Sequence, residues 1–163
     1  MFRRHKDLWS HLEALVRREQ VTSIVEVGPG LYSPVRDWVR SYLAIDINPR
    51  VEAIHADFAT MDVSALRCWD MVLVANVINH CAEYHSFLEQ IQRINPRLAA
   101  VTLFDLHPRR VNHRTITSRL GPLITRYSER RLRKDLDRYY PWDWQIERLG
   151  RHDAILTLRR RDD

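Results

Sequence analysis

The stretch that decides the fold reads Val25-Glu26-Val27-Gly28-Pro29-Gly30-Leu31-Tyr32-Ser33-Pro34. Ahead of it stands the apolar, β-branched run Val21-Thr22-Ser23-Ile24, and behind it Val35-Arg36-Asp37-Trp38-Val39-Arg40. The order is strand, glycine turn, helix start. Ser33 suits an N-cap and Pro34 a first helical position, where a missing amide costs nothing. Two glycines at the carboxyl end of a first strand let a ligand approach the backbone, and a following helix would aim free amides at it. Gly-x-Gly alone also reads as a turn that merely needs unusual dihedrals.

Glu26 weighs between the two. A nicotinamide-type fingerprint keeps its first strand apolar up to the first glycine and wants a third small residue to seat a pyrophosphate. An acid at this place suits a cationic ligand instead.

Further along, Tyr42-Leu43-Ala44-Ile45-Asp46-Ile47 is a short apolar strand ending in an acid eighteen residues past Gly28. A doubly wound nucleotide fold places there the carboxylate that accepts hydrogen bonds from a ribose diol. Only Asn48, Pro49, Arg50 and Val51 separate it from the next strand, Glu52-Ala53-Ile54-His55-Ala56, so the second crossover helix is expected to be reduced to a turn. Cys68-Trp69-Asp70-Met71-Val72-Leu73-Val74-Ala75-Asn76 has the near-continuous apolar run of a strand buried on both faces. A helical pattern through Phe87, Leu88, Ile91 and Ile94 follows, and Leu98–Phe104 reads as a fifth strand.

With these motifs in order, residues 20–158 resemble the class I S-adenosylmethionine-dependent methyltransferases, in a compact form of the type-11 kind. The first motif of that family, acid-x-Gly-x-Gly-x-Gly, stands here as Glu26-Val27-Gly28-Pro29-Gly30-Leu31-Tyr32, with tyrosine for the last glycine. Asp46-Ile47-Asn48-Pro49 matches the second motif and Asp57-Phe58 the third. The resemblance implies a three-layer α/β Rossmann-like fold, a mostly parallel sheet closed by a C-terminal antiparallel hairpin. It implies S-adenosylmethionine as cofactor, held by Glu26, Gly28, Gly30, Tyr32, Asp46, Ile47, Asp57, Phe58 and Asn76. Asp57 would reach the adenine amino group and Phe58 would lie along the ring; a loop acid beside a buried phenylalanine is the other reading. Asn79 and His80 fall in the polar segment that faces cofactor and substrate.

His80 has the chemistry of a general base near neutrality, and a histidine after a strand is also a common packing residue. The Asp/Asn-Pro-Pro-aromatic form of many base-amine methyltransferases is missing, which disfavours that chemistry. Residues 105–126 carry His107, Arg109, Arg110, His113, Arg114, Arg119 and Arg126 around Gly121-Pro122 with little periodicity, and read as a substrate lid suited to phosphate or carboxylate. Asn79, Tyr84, His107, Arg109 and Arg114 are the candidate acceptor contacts. Ser128 caps a polar helix over 128–138, and two runs, 144–149 and 154–158, make the terminal hairpin.

One hundred and sixty-three residues suit a single domain, 1–163, with residues 1–20 as a helix laid on the sheet. The formal charge of +5 is uneven: residues 1–103 carry 11 Lys+Arg against 12 Asp+Glu, and residues 104–163 carry 15 against 9. Such arginine excess reads as a solvated face or as a nucleic-acid surface. Cys68 and Cys81 have no metal-type spacing, so two reduced thiols and no metal are expected. No apolar run has membrane-span length, and a cytoplasmic location is the expectation. The acceptor is expected to be an O or N atom of a small molecule. RNA, through the basic C-terminal part, is the alternative. A non-catalytic relative is a third reading, motivated by Tyr32 and by Asn95-Pro96-Arg97 standing where the family usually has glycines.

Overall fold

The computed structural model describes residues 2–75, 77–80, 84–117, 123–151 and 153–161. In chain order its elements are α1 (Phe2–Arg18), β1 (Ser23–Val27), β2 (Ser41–Asp46), β3 (Ile54–His55), β4 (Met71–Val74), α2 (Tyr84–Ile94), β5 (Leu98–Leu103), β6 (Arg114–Thr117), β7 (Leu123–Arg126), α3 (Glu129–Tyr139), β8 (Asp143–Arg148) and β9 (Ala154–Arg159). Seven strands form one sheet in the order β3-β2-β1-β4-β5-β9-β8. The first five pair in parallel, and β9 inserts antiparallel between β5 and β8.

Alternate strand residues sort into two cores, as strand geometry requires. Ile24, Met71, Leu73, Leu98 and Ala100 face α1, which presents Leu8, Leu12, Leu15 and Val16. Val25, Val27, Val72, Val74, Ala99 and Val101 face α2 and α3, which contribute Phe87, Leu88, Ile91, Leu132 and Leu136. The result is helix, sheet, helix, as expected from the apolar runs. The terminal hairpin and the Ser128 cap also stand where expected; Ser128 Oγ accepts from the Arg131 amide at 3.2 Å.

Two expectations need correcting. The helix anticipated after Pro34 is one 3-10 turn, Val35–Trp38, so the first crossover is shortened as well as the second. The reason is length: by Arg40 and Ser41 both amides must already bond Thr22 O, at the far edge of the sheet. A full crossover needs a dozen or more residues, and few remain after the glycine loop. Val35 and Trp38 cover the sheet in its place, with Trp38 edge-on to Trp9 at 6.1 Å. The segment expected to be an irregular lid also contains the antiparallel pair β6–β7, in which Thr115 and Thr125 hydroxyls meet at 3.1 Å.

At the opposite edge of the sheet, Asp70 ties β1 to β4. Its Oδ2 accepts from Thr22 N at 2.8 Å, Thr22 Oγ1 at 2.7 Å and Ser23 N at 3.1 Å. Partial burial would raise its pKa, but these hydrogen bonds together hold the carboxyl below the ordinary 3.8. A depressed pKa means stability present above the unfolded value and lost as pH falls through the folded one. Asp70→Asn is therefore expected to lower stability by about 1–3 kcal/mol at pH 7, and the gap to wild type should close as pH drops below 3.8. Urea denaturation across that range measures it.

Candidate methyl-transfer edge

The carboxyl ends of β1, β2, β4 and β5 open on one edge of the sheet, the usual ligand side of such folds. Gly28 N donates to Ile45 O at 2.8 Å, which turns the chain off β1 over the end of β2. Gly28 sits at φ +72, and a Cβ there would overlap the Val77 side chain. Gly30 sits at φ +64 with open space where its Cβ would be. Only glycine takes both conformations without strain, and at Gly30 the vacant volume faces outward.

Asp46 faces the loop from the end of β2. Its Oδ2 accepts from Gly30 N at 3.3 Å and its Oδ1 from Asn48 N at 2.8 Å, so the loop and the acid are held face to face. Asp57, exposed beyond β3, is shaped by Ala59 N donating to Oδ1 at 3.0 Å. Around the loop stand Leu31, Tyr32 and Ile47, exposed by 62%, 90% and 75%. Three large apolar side chains thus stand in water beside the loop.

Glu26 is placed otherwise than expected for a ligand contact. It is fully buried, with Ser33 Oγ donating to both carboxylate oxygens (2.9 and 2.8 Å) and Tyr42 OH donating at 2.7 Å. It braces the returning end of the glycine loop from within the sheet. Phe58 is likewise buried, packed against Phe87 at 5.5 Å. Asn76 lies outside the described residues, as does Cys81; Cys68 is a free, exposed thiol.

Beyond β4, the 3-10 turn Ile78–His80 ends in an exposed His80. Asn79, expected to touch substrate, is buried, and its amide is taken up by backbone. Nδ2 donates to Phe104 O at 2.5 Å and Thr125 O at 2.8 Å, and Oδ1 accepts from Phe104 N at 2.9 Å. One side chain thus joins the end of β4, the end of β5 and β7. Tyr84 is also buried, donating to Asp135 Oδ2 at 2.5 Å. Burial and Asp135 push its pKa far up; burial also works to raise the Asp135 carboxyl, but the Tyr84 and Arg131 hydrogen bonds hold it below its ordinary value.

Of the five candidate acceptor contacts, then, Arg109 and Arg114 are exposed and His107 partly so, while Asn79 and Tyr84 are structural in their contacts. Sequence reading passed over the Asp105–Arg126 pair, 3.4 Å apart at the mouth of this region, with Asp105 in the left-handed region at φ +53. A non-glycine residue held there directly after a strand is backbone strain of the kind found at sites.

No family model matches the sequence, and no curated protein matches it. By structure, the chain superposes on a 1,6-didemethyltoxoflavin-N1-methyltransferase of Burkholderia thailandensis, crystallised with S-adenosylhomocysteine, at TM-score 0.69 and 16% identity over 97% of this chain and 83% of that one. An S-adenosylmethionine-dependent methyltransferase of Mesorhizobium loti gives TM-score 0.72 at 10% identity, over 94% and 98%. The small RNA methyltransferase HEN1 gives 0.74 at 14%, over 98% of this chain and 25% of its own. The fold is that of the class I methyltransferases. The mostly parallel seven-stranded sheet with its antiparallel hairpin matches that fold.

Two outcomes test this edge. Gly30→Ala should cost only about 1 kcal/mol of stability, the penalty of a left-handed alanine, whereas Gly28→Ala meets Val77 as well and should cost more; thermal denaturation compares them. Burial raises the Glu26 pKa above 4.5, opposed by the Tyr42 and Ser33 hydroxyls. The folded protein therefore keeps that proton to higher pH than the unfolded chain, and stability falls as pH rises from 4.5 through the elevated value. Glu26→Gln should gain on wild type across that window, by up to about 1.4 kcal/mol per pH unit.

Proposed function

We propose that the protein transfers a methyl group from S-adenosylmethionine to an O or N atom of a small-molecule acceptor. The observation that carries the reading is the facing pair of Gly30 N–H and the Asp46 carboxylate, beside the open volume left by the missing Gly30 side chain. The residues present fit the cofactor. Asp46 has the two acceptor oxygens that a ribose diol needs, Asp57 is exposed to meet an adenine amino group, and Leu31, Tyr32 and Ile47 offer the apolar surface that an adenosine would cover. Bound there, the cofactor supplies an activated methyl on a sulfonium.

The remaining chemistry belongs to the chain. Positioning an acceptor in line accounts for much of the rate in such a transfer. His80, exposed at the end of its turn, takes the proton released as the acceptor atom gains the methyl. Arg109 and Arg114 clamp an acidic group on the acceptor. Asp46→Ala in a folded protein should weaken S-adenosylhomocysteine binding by about 1–3 kcal/mol, the loss of charge-assisted hydrogen bonds. Calorimetry that finds unchanged affinity removes this placement, and preference for a nicotinamide cofactor removes the reading.

A second acceptor class has a specific observation behind it. Arg130, Lys134 and Arg138 are exposed at every fourth position of α3, about 6 Å apart along the helix. That spacing suits a nucleic-acid backbone. The two classes separate on incubation with methyl-labelled cofactor and either a metabolite extract or total RNA. Label is expected in the metabolite fraction, with weak RNA binding at physiological salt. Sub-micromolar RNA binding that falls steeply with added salt, together with label in RNA, reverses the assignment.

A further inference from the structure

A half-buried histidine helps to hold the arginine-bearing segment between β5 and β6 against the body of the protein. His113 Nδ1 accepts the Ser128 backbone N–H at 3.0 Å, which leaves the ring proton on Nε2. That Nε2 is buried and finds no hydrogen-bond partner among the described residues. The ring stands edge-on to two tyrosines, Tyr84 at 5.1 Å and 89° and Tyr127 at 5.2 Å and 78°. Aromatic edges meeting faces at such distances attract beyond their area of contact.

Both walls of this seat are themselves fixed. Tyr84 is bonded to Asp135 of α3, and Tyr127 OH donates to Ile78 O at 2.6 Å, within the turn that carries His80. Ser128 completes the arrangement from the other side: its Oγ donates to Arg110 O at 2.6 Å while its amide reaches His113. The two ends of the stretch 110–113 are thus gripped by a single residue at the head of α3. At the start of the segment, His107 exchanges backbone hydrogen bonds with Tyr127 (2.9 Å) and Glu129 (3.1 Å).

We propose that His113 is the positioning residue of the acceptor side: its docked ring fixes Arg109 and Arg114 with respect to the turn that carries His80. The role assigned to those arginines rests on the methyltransferase reading; the docking itself does not. The segment is then a fixed wall of the site, held by this ring together with the Ser128–Arg110 and His107 hydrogen bonds, and it loosens when the ring leaves its seat. Protonation is one way to open it, because a cationic ring has no lone pair for the Ser128 amide. The groups around the ring are Tyr84 and His85 from α2, Tyr127, and Asp135 and Arg131 from α3. Burial holds the His113 pKa below 6.5, Asp135 pulls it up, and Arg131 and His85 push it further down. At neutral pH the ring is neutral and seated.

Hydrogen exchange of the full chain, read by mass spectrometry over residues 106–117, tests the anchor, with trypsin cleavage after Arg109, Arg110 and Arg114 as a second readout. His113→Ala should raise exchange there roughly tenfold, the factor one buried hydrogen bond is worth in a local opening, with exchange in β1 and β4 unchanged. His113→Asn, whose Oδ1 can take the place of Nδ1, should recover part of the protection. His113→Phe, which fills the seat without an acceptor, should recover less. Protection factors of the wild type should fall as pH drops below 6.5, and those of the Asn variant should not. Unchanged exchange in a natively melting Ala variant overturns the proposal. If that variant does not fold, a wild-type pH profile identical to that of the Asn variant overturns it. S-adenosylhomocysteine calorimetry on the same variants keeps the two readings apart: no binding with a docked segment sinks the cofactor reading alone, and binding with a segment insensitive to His113 sinks the anchor alone.

Discussion

In the middle of the sheet stands a carboxylate with no contact with water. Glu26 lies on β1, flanked by β2 and β4, and its oxygens are met by the hydroxyls of Ser33 and Tyr42 and by no cation among the described residues. Burying such a group is costly unless its hydrogen bonds are made, so both donors must be delivered to it. Tyr42 comes from the neighbouring strand. Ser33 can arrive only if the chain that left β1 at Gly28 doubles back at once, and that requirement shapes the loop. The left-handed Gly28 and Gly30, the contact with Val77, and the approach of Gly30 to Asp46 follow from it.

The same tight return explains why so little helix is present. In larger relatives of this architecture a full helix would cover the sheet after each strand. Here the first crossover has to satisfy Glu26, cover Ile24 and Leu73, and reach Thr22 within a few residues. A 3-10 turn with Val35 and Trp38 does so, and α1 supplies the rest of that layer. The opposite layer keeps its helices, α2 and α3. The glycine-loop side of the edge therefore depends on loops braced from below, and the side around His80 and His113 on side chains anchored to helices.

What could be read in the sequence follows that division. Periodicity exposed the strands, the helices α1, α2 and α3 and the terminal hairpin, because each buries one face or both over several residues. Asp46 was legible because an acid at the end of an apolar strand has few reasons to be there. The missing first helix was not: Ser33-Pro34 is a sound helix start locally, and only the distance back to Thr22 forbids the continuation. Alternation in Arg114-Thr115-Ile116-Thr117 was there to find, yet four residues with a half-polar face carry too weak a signal beside so many arginines. Asn79, Ser128 and His113 act through partners 25, 18 and 15 residues away, and no local pattern announces such contacts. Glu26 stood out as an anomaly, but its two hydroxyl partners did not, since a strand acid reads the same whatever it faces.

The stretch 105–117 shows how such buried polar contacts can order a polar segment. Residues 105–117 have little apolar surface, so hydrophobic burial alone would leave them mobile. Instead Asn79 spends its whole amide on the backbones of β5 and β7, Tyr127 reaches the turn before His80, and Ser128 holds Arg110 and His113 together. Each of these bonds is worth little where water competes and considerably more where it does not. Their common feature is that every one runs to a backbone group or a ring that is itself fixed. A wall built in this way can expose Arg109 and Arg114 on its outer side without relying on those charges for its own shape.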